Sequence, residues 1–468
     1  MNDLSFDYNY VFSSAGQEGS GITVTIGKDV TKIPSYLFCP ELIHALEPNP
    51  PKITSVIFEE NSVCTSIGNC AFYKCDSLKS ITIPNCLTSI GDRAFYGCSS
   101  ITSITIPNCL VSIGDYAFQT CSTLSNVNYL GTIEEWLKIQ FNDSSANPLC
   151  NGAKLYLNGE LLTDFITPDT VTKINSYAFF NCDSITSIYI HNNVTSIEKA
   201  AFYHCTALTE IYFNAVAMDD CTLQSSLFGR AGENETGIKV IIGKDVTKIP
   251  YYFFGFSHSK YSTNITSVVF EEGSVCKTIG EFAFYNCTLL SSVSYTGTIE
   301  DWCNISFEQS YANPLFYGAS LYLNGELVTN LVLPNTITEI DYDFIGCSSL
   351  VSVTIPDSVI SIGDRSFQNC ISLTSVTIGN GVTSIGDSAF NSCTSLTNIT
   401  IGNSVTNIGS YAFYNCTSLT SATFEDTDGW YVTSTEGATS GTDVDLTNAS
   451  TNATYLTDTY DNYYWYKK

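Results

Sequence analysis

Two short acidic segments, each ending in tryptophan, are the part of this chain that most resembles a catalytic arrangement. Residues 134–136 read Glu-Glu-Trp and residues 300–302 read Glu-Asp-Trp. Paired carboxylates are the groups with which glycoside hydrolases protonate and attack a sugar. Neighbouring acids do not face each other across a cleft, however, and acids are favoured at helix N-termini. We therefore predict helix-terminal acids here, with Trp136 and Trp302 either packing the helix onto the fold or contacting a ligand.

Cysteine is the second residue type that could carry chemistry, because the chain has 19 of them and only four histidines. Zinc is not predicted, since no Cys-x-x-Cys pair occurs. Ten cysteines recur at one position of a repeat, where a free thiol packs as a small apolar group. Disulfides between neighbouring repeats remain the alternative. The ten are Cys75, Cys98, Cys121, Cys182, Cys205, Cys287, Cys347, Cys370, Cys393 and Cys416.

Other motifs for metals, cofactors or catalysis are weak or missing. Residues 426–429 read Asp-Thr-Asp-Gly, but the glycine comes too early for an EF-hand calcium loop. No Walker loop, Gly-x-Ser-x-Gly, His-Glu-x-x-His or Rossmann glycine motif occurs. The sequence therefore predicts no catalytic residue, no metal and no cofactor.

One phrase that recurs with a spacing of 23 residues determines the architecture: Ile-Gly-Asp-x-Ala-Phe-x-x-Cys-x-x-Leu-x-x-Val-x-Ile. Its clearest copies begin at Ile67, Ile90, Ile113, Ile174, Ile197, Ile362, Ile385 and Ile408. A period of roughly 20–30 residues is typical of a solenoid, in which each unit buries its apolar stripe against its neighbours. We predict an α/β fold, a right-handed solenoid with a continuous parallel sheet on one face and short helices or turns on the other.

The copy that begins at Ile385 shows the expected course of one unit. Ile385, Ala389 and Cys393 have the spacing of an apolar helical stripe. Asp387 stands where an N-cap carboxylate would accept the free N–H groups of the first helical turn. The alternating apolar residues of 396–401 then predict a strand. Each unit is thus predicted to contain a strand, a turn and a short helix.

The outward positions of the strands indicate where a ligand would bind. They are Thr or Ser in most repeats, but two neighbouring units carry Tyr189 with His191 and then Glu210 with Tyr212. Tyr189 and Tyr212 are expected to stack side by side. A cross-strand aromatic pair can simply stabilise a sheet, yet exposed aromatic residues also concentrate binding energy. We predict a contact patch here, formed by these four residues, with Trp136 and Trp302 as further ligand contacts.

A larger duplication and two irregular segments interrupt the regular repeat. Gly-Lys-Asp-Val-Thr-Lys-Ile-Pro occurs at 27–34 and again at 243–250. Residues 130–161 and 296–327 are predicted to be insertions, each with a short helix and a hairpin around a type I′ Asn-Gly turn.

The predicted organisation has three parts. Residues 1–20 form an N-terminal capping segment, residues 21–424 form the solenoid, and residues 425–468 form an aromatic-rich C-terminal cap. A cap is expected because the open end of a solenoid exposes apolar groups and unpaired strand edges.

Composition limits the classes of partner. The chain has 19 Lys and Arg against 46 Asp and Glu, a net charge of −27, which argues against nucleic acid and anionic membrane surfaces. No stretch is apolar enough to span a membrane, and neither a signal peptide nor an anchor is visible. On this pattern alone the chain is either cytoplasmic or a mature or truncated segment of a longer protein.

The repeat resembles the leucine-rich repeats of the BspA-like family over about residues 21–424. The resemblance rests on Leu-x-x-Val-x-Ile, on Ala-Phe-x-x-Cys, and on Ile-Pro-Asn at 83–85 and 106–108. The turn asparagine, at Asn380 and Asn403, comes one residue earlier than in the general leucine-rich pattern. The resemblance implies a surface-displayed or secreted protein that adheres to host proteins.

We accordingly predict a non-enzymatic, monomeric protein-binding repeat protein, an adhesin-like module for extracellular-matrix or mucosal proteins. A structural scaffold without a specific ligand is the first alternative. A glycan-acting enzyme, supported only by the acidic segments and their tryptophans, is the second.

Overall fold

The computed structural model describes residues 12, 15–16, 19–39, 51–222, 226–255 and 263–468. The chain divides into two compact units, a first unit of residues 1–238 and a second unit of residues 239–468. Most of the predicted N-terminal capping segment, 1–20, lies outside the described residues.

The first unit consists of short strands and one short helix, α1 (Ile133–Trp136). Its strands are β1 (Ile22–Ile26), β2 (Lys32–Ile33), β3 (Ile53–Phe58), β4 (Ser66–Ile67), β5 (Ser80–Ile81), β6 (Ser89–Ile90), β7 (Ser103–Ile106), β8 (Ser112–Ile113), β9 (Asn126–Tyr129), β10 (Gln140–Phe141), β11 (Lys154–Leu157), β12 (Glu160–Leu161), β13 (Asp164–Ile166), β14 (Lys173–Ile174), β15 (Ser187–Ile190), β16 (Ser196–Ile197) and β17 (Glu210–Phe213).

Each turn of the first unit contributes strands to two ladders. The main ladder has the sheets β1-β3-β5, β7-β9-β11-β12 and β13-β15-β17, and a second ladder of two-residue strands runs β2-β4-β6-β8-β10 and β14-β16. Pairing between successive turns is parallel, as in Ile104 with Val127 and Ile67 with Ile90. The predicted solenoid is confirmed, with buried apolar residues alternating along each strand.

The second unit repeats this plan and adds a C-terminal segment. Its strands are β18 (Ile238–Ile242), β19 (Lys248–Ile249), β20 (Ile265–Phe270), β21 (Thr278–Ile279), β22 (Ser292–Tyr295), β23 (Ser306–Phe307), β24 (Ser320–Leu323), β25 (Glu326–Leu327), β26 (Asn330–Val332), β27 (Glu339–Ile340), β28 (Ser352–Thr354), β29 (Ser361–Ile362), β30 (Ser375–Thr377), β31 (Ser384–Ile385), β32 (Asn398–Ile401), β33 (Asn407–Ile408), β34 (Ser421–Phe424), β35 (Trp430–Thr433), β36 (Thr442–Asp443) and β37 (Tyr464–Lys467). Its helices are α2 (Ile299–Cys303), α3 (Ala449–Thr454), single 3-10 turns at Ser310–Ala312 and Tyr342–Phe344, and a π-helical turn at Tyr455–Thr459.

The two ladders of the second unit are also parallel between successive turns. The main ladder contains β20-β22-β24-β25, β26-β28-β30 and β32-β34, and the second ladder contains β19-β21-β23 and β27-β29-β31-β33. Two antiparallel hairpins, β11-β12 and β24-β25, interrupt the main ladders. The hairpin strand takes up the edge of β11, where the Leu162 N–H donates to the Leu155 carbonyl at 2.9 Å. The next strand, β13, therefore begins a new sheet.

The prediction of a short helix in each repeat is wrong. The segment between the strand of the second ladder and the next strand of the main ladder forms tight backbone turns instead of a helix. Arg93 and Gly97 adopt left-handed backbone conformations, with φ of 52° and 74°, and residues in that region interrupt an α-helix. The N–H groups instead reach the next turn of the solenoid. Arg93 donates to the Asp115 carbonyl at 2.8 Å, and Phe95 donates to the Ala117 carbonyl at 2.9 Å.

The repeat aspartate consequently does not cap a helix within its own repeat. The Asp387 carboxylate accepts a hydrogen bond from the Ser410 N–H at 2.8 Å, in the following turn. Asp92 binds the Asp115 N–H at 2.9 Å in the same way. The predicted N-cap role of Asp387 is wrong, and the carboxylate links one turn to the next.

The core consists of stacked rings and thiols contributed by successive turns. Phe367 and Phe390 are fully buried and stack with ring centroids 5.3 Å apart. The Cys393 thiol, also fully buried, donates to the Phe367 carbonyl at 3.2 Å. All 19 cysteines are free. The ten repeat cysteines are buried, which confirms the prediction that they pack as small apolar groups.

The segments predicted as insertions contain the expected helix and hairpin but remain within the solenoid. Asn158 and Gly159 have φ of 50° and 90°, which confirms the type I′ turn. Yet β10 pairs with β8, and β11 pairs with β9, both in parallel. Residues 130–161 therefore form a modified solenoid turn, and deleting them would remove strands from both ladders.

The C-terminal residues pack against the last turn of the second unit. β37 pairs antiparallel with β33, which places Trp465 opposite Ile408. Trp465 is 2% exposed and its ring lies 6.1 Å from that of Phe424. The Asn452 amide donates to the Ala422 carbonyl at 3.0 Å, so α3 also contacts the main ladder.

Candidate functional site

The outward face of β13, β15 and β17 carries one row of large side chains, Ile166, Tyr189 and Tyr212. These residues are in register across three parallel strands. Ile166 is 61% exposed, and the two tyrosines are partly exposed. The tyrosine rings stack at 5.0 Å with an angle of 23° between their planes, which confirms the predicted stacking. We call these three residues the apolar row.

An acidic row borders the apolar row on the same face. Asp164, Ser187 and Glu210 are in register two residues earlier on the same strands. The Ser187 hydroxyl donates to the Asp164 carboxylate at 2.6 Å. Glu210, predicted as a contact residue, is thus placed beside Tyr212 at the border of the apolar row.

His191 lies on the other side of the apolar row. Its ring centroid is 6.4 Å from that of Tyr189, and its Nε2 is 2.9 Å from an Asp169 carboxylate oxygen. Its backbone N–H donates to the Thr167 hydroxyl at 2.6 Å. His191 Nδ1 is buried and has no hydrogen-bond partner within the described parts of the chain. Four predicted contact residues, Tyr189, His191, Glu210 and Tyr212, therefore lie together on one face.

The second unit provides a counterpart with small polar groups. Val332, Thr354 and Thr377 are in register on β26, β28 and β30. Val332 follows its hairpin at the position that Ile166 occupies after the hairpin of the first unit, and Val332 is 68% exposed. We call these residues the counterpart row. The tyrosines of the first unit thus occupy positions that the fold also fills with threonine.

Trp136 and Trp302 are wrong as ligand contacts, because both are fully buried. Each has 0% exposure. The Trp136 indole N–H donates to the Ala178 carbonyl at 3.0 Å, and that of Trp302 donates to the Asp343 carbonyl at 3.0 Å. These rings pack α1 and α2 onto the solenoid, which was the structural alternative for them.

The acidic segments form helix caps. Thr132 and Glu135 form a reciprocal capping box at the start of α1, and Thr298 and Asp301 do the same at α2. The hydroxyl and backbone N–H of Thr298 lower the pKa of Asp301 by hydrogen bonding. Glu134 accepts a hydrogen bond from Thr170 at 3.1 Å. This arrangement supports the helix-terminal interpretation of these acids.

Metal-binding groups are not assembled in the described ranges. No set of three or more His, Cys, Asp or Glu side chains there is arranged to hold a metal ion. Asp426, in the weak calcium motif, forms an ion pair with Lys467 and accepts the Asp428 N–H at 3.1 Å. Hydrogen bonding by these two groups lowers the pKa of Asp426.

A membrane-spanning helix would need a long apolar run. In the described part of the chain, none of the helices is both long enough and apolar enough to cross a bilayer.

The apolar row contains one residue that sequence reasoning missed. Ile166 was not predicted as a contact residue, although the alternation around Phe165 places it on the outward face of β13. The sequence signal was an isoleucine at an outward position that is Thr or Ser in many other repeats.

Several solved bacterial leucine-rich repeat proteins are similar to this chain. A leucine-rich repeat protein from Bacteroides ovatus is 20% identical, with 86% of this chain and 81% of that one covered and a TM-score of 0.35. One from Eubacterium ventriosum is 21% identical, with coverage of 73% and 83% and a TM-score of 0.37. A leucine rich cell surface protein from Faecalibacterium prausnitzii is 21% identical, with coverage of 88% and 89% and a TM-score of 0.27.

The repeat itself identifies the family. A sequence comparison with curated proteins finds no significant match. The BspA type leucine rich repeat region, in contrast, matches residues 48–148, 152–260, 247–327 and 316–429. These matches cover more than half of the 468 residues and coincide with the ladders described above. The chain belongs to the BspA-type leucine-rich repeat family.

Proposed function

We propose that this chain is a non-enzymatic, protein-binding repeat protein and that the apolar row of the first unit is its main contact surface. The observation that carries the proposal is the exposed row Ile166, Tyr189 and Tyr212 on three neighbouring strands, whereas the same position on β28, β30, β32 and β34 is threonine. Tyrosine supplies much of the binding energy at protein interfaces. The threonines of the counterpart row support a role beyond folding for the two tyrosines.

The row offers groups that suit a protein ligand. The Tyr189 and Tyr212 rings lie nearly parallel at 5.0 Å, so one face of each ring is covered by the other. The opposite ring faces, the ring edges and the hydroxyl groups remain for contact. Apolar side chains and backbone carbonyls of a partner protein can pack and hydrogen bond with such groups.

The family supports a location and a partner class for the proposal. BspA-like proteins, as implied by the resemblance of the repeat, are displayed at cell surfaces or secreted, and adhere to host proteins. We infer the same setting for this chain, with an extracellular-matrix or mucosal protein as the partner and a monomer as the binding form. A role as a scaffold without a specific ligand is the competing proposal, favoured by the Ser and Thr that fill most outward positions.

The first test is direct binding of the full chain to a panel of matrix, mucin and plasma proteins. The proposal predicts saturable binding to at least one of them, and loss of that binding in the Tyr189→Ala/Tyr212→Ala variant. Thr354→Ala/Thr377→Ala is the matched control, since it changes the counterpart row only. Absence of saturable binding across the panel would favour the scaffold role instead.

A further inference from the structure

Two consecutive turns of the second unit carry five aromatic residues in continuous contact, in the segments that follow β21 and β23. Phe282 and Tyr285 lie 5.5 Å apart, and Tyr285 lies 5.1 Å from Tyr311, measured between ring centroids. Tyr311 lies 4.5 Å from Phe316, which lies 5.0 Å from Tyr317. Each of the five is only partly buried. We call them the aromatic cluster.

The duplicated segment of the first unit forms the same strands without most of these rings, although here the Tyr317 hydroxyl accepts the Asn286 N–H at 2.9 Å. At the positions of Tyr285, Tyr311, Phe316 and Tyr317 the first unit has small or polar residues, and only Phe282 has an aromatic counterpart. The strands that carry the two versions pair in the same parallel manner, β8 with β10 and β21 with β23. The first-unit residues are Tyr116, Gln119, Ser145, Cys150 and Asn151.

Carboxylates border the aromatic cluster. Glu281 precedes Phe282, and its backbone N–H donates to the Glu308 carboxylate at 3.1 Å. Glu308 is exposed. Within the described residues neither acid forms an ion pair with a Lys or Arg side chain. An apolar centre with a negatively charged border is complementary to a partner with apolar side chains among basic ones.

We propose that the aromatic cluster is a second binding surface, distinct from the apolar row, for a protein segment that presents apolar side chains flanked by Lys or Arg. Partly exposed aromatic residues in mutual contact are the type of group that dominates interface energy. The charges of Glu281 and Glu308 select a basic segment over an acidic one. A second copy of this chain is disfavoured, because each copy carries a net charge of −27.

The ring geometry favours a protein segment over a glycan here. Tyr285 is nearly perpendicular to both Phe282 and Tyr311, at 86° and 89°. Phe282 and Tyr311 are in turn stacked at 18° with centroids 5.7 Å apart. Some ring faces therefore contact other rings of the cluster, which leaves fewer faces for stacking against a sugar.

The test uses the full chain and three short fluorescent peptides of equal length. The first alternates Leu and Trp with Lys and Arg, the second has Glu in place of the basic residues, and the third has Ser and Gly in place of the apolar ones. Tyr285→Gln/Tyr311→Ser introduces the residues that stand at these positions in the first unit, Gln119 and Ser145, where the corresponding solenoid turn already accommodates them. Glu281→Gln/Glu308→Gln removes the charges and keeps the carbonyl acceptors.

The expected result is saturable binding of the basic, apolar peptide only. Affinity should fall at least about ten-fold in Tyr285→Gln/Tyr311→Ser, with an unchanged circular dichroism spectrum. In Glu281→Gln/Glu308→Gln, affinity and its dependence on salt should both fall. Tyr189→Ala/Tyr212→Ala should bind this peptide like the wild type, which separates this surface from the apolar row. The proposal would be overturned if Tyr285→Gln/Tyr311→Ser bound the basic, apolar peptide as tightly as the wild type does. It would also be overturned if the wild type bound the acidic peptide equally well, or bound no peptide saturably.

Discussion

The Asp364 carboxylate accepts a hydrogen bond from the backbone N–H of Asp387, 2.7 Å away in the next turn of the solenoid. Asp387 then binds Ser410 in the same manner. The glycine before each aspartate is part of this arrangement, because a Cβ at Gly386 would lie 2.5 Å from an Asp364 carboxylate oxygen. The Ile-Gly-Asp motif thus joins one turn to the next.

Removing this link should destabilise the second unit. Asp387→Ala leaves the Ser410 N–H without its acceptor, and a lost bond of this kind costs about 1–3 kcal/mol. Asp387→Asn is the matched control, because it keeps an oxygen acceptor and the first unit already uses Asn69 in this way, 2.9 Å from the Asp92 N–H. Denaturant unfolding should rank wild type and Asp387→Asn above Asp387→Ala. Equal stability of the two variants would argue against the link.

The buried thiols should be almost inert in the folded protein. Burial raises the pKa of Cys121 and Cys416 to about 12, and the pKa of Cys98 well above its usual value, so little reactive thiolate forms near neutral pH. Cys109 is the one exposed cysteine of the 19. A thiol reagent at pH 8 should therefore modify Cys109 first, and Cys109→Ser should remove the fast phase. Rapid reaction of many thiols in the native state would contradict the burial of the repeat cysteines.

Asp343 should make the second unit less stable as pH rises. Its side chain is buried, and burial raises its pKa from 3.8 to about 7, although its carboxylate accepts the Asp341 N–H at 3.0 Å. A carboxyl whose pKa is raised by folding contributes stability below its unfolded pKa, and this contribution is lost as pH rises through the folded value. The relevant window is therefore between about pH 4 and pH 7.

The comparison of Asp343→Ala with the wild type isolates this effect. Ala178 occupies the corresponding place in the first unit, where its carbonyl accepts the Trp136 indole N–H. The stability of the variant relative to the wild type should increase across the window, by up to about 4 kcal/mol. Chemical unfolding at pH 4 and pH 8, on either side of the window, measures the difference. A difference that does not change with pH would show that Asp343 is not titrating in this range.

The sequence was sufficient for the architecture, because the spacing of apolar residues reports which side chains face the core. It failed for the segment around Asp387, where apolar residues four apart suggested a helix. The positive φ values of Ser388 and Ser392, 56° and 61°, depend on hydrogen bonds to the next turn, such as Ser388 N–H to the Ser410 carbonyl at 2.9 Å. Contacts between turns are not visible in the periodicity of a single repeat.

The candidate site could be predicted only where the strand register was readable. Tyr189 and Tyr212 occupy the same position in neighbouring repeats, so their stacking followed from the repeat length. Trp136 sits in an irregular segment, and its burial depends on the fold around Ala178. The aromatic cluster was missed because Tyr285 and Tyr311 are far apart in sequence and meet only when successive turns stack.

The most direct test of the account is a titration of one partner from the binding panel against three forms of the full chain: wild type, Tyr189→Ala/Tyr212→Ala and Thr354→Ala/Thr377→Ala. If the apolar row is the contact surface, the tyrosine variant should lose at least about ten-fold in affinity, while the threonine variant keeps the wild-type dissociation constant and both remain folded. Equal affinity of the tyrosine variant and the wild type would show that the partner binds elsewhere and would contradict the proposed function of this row.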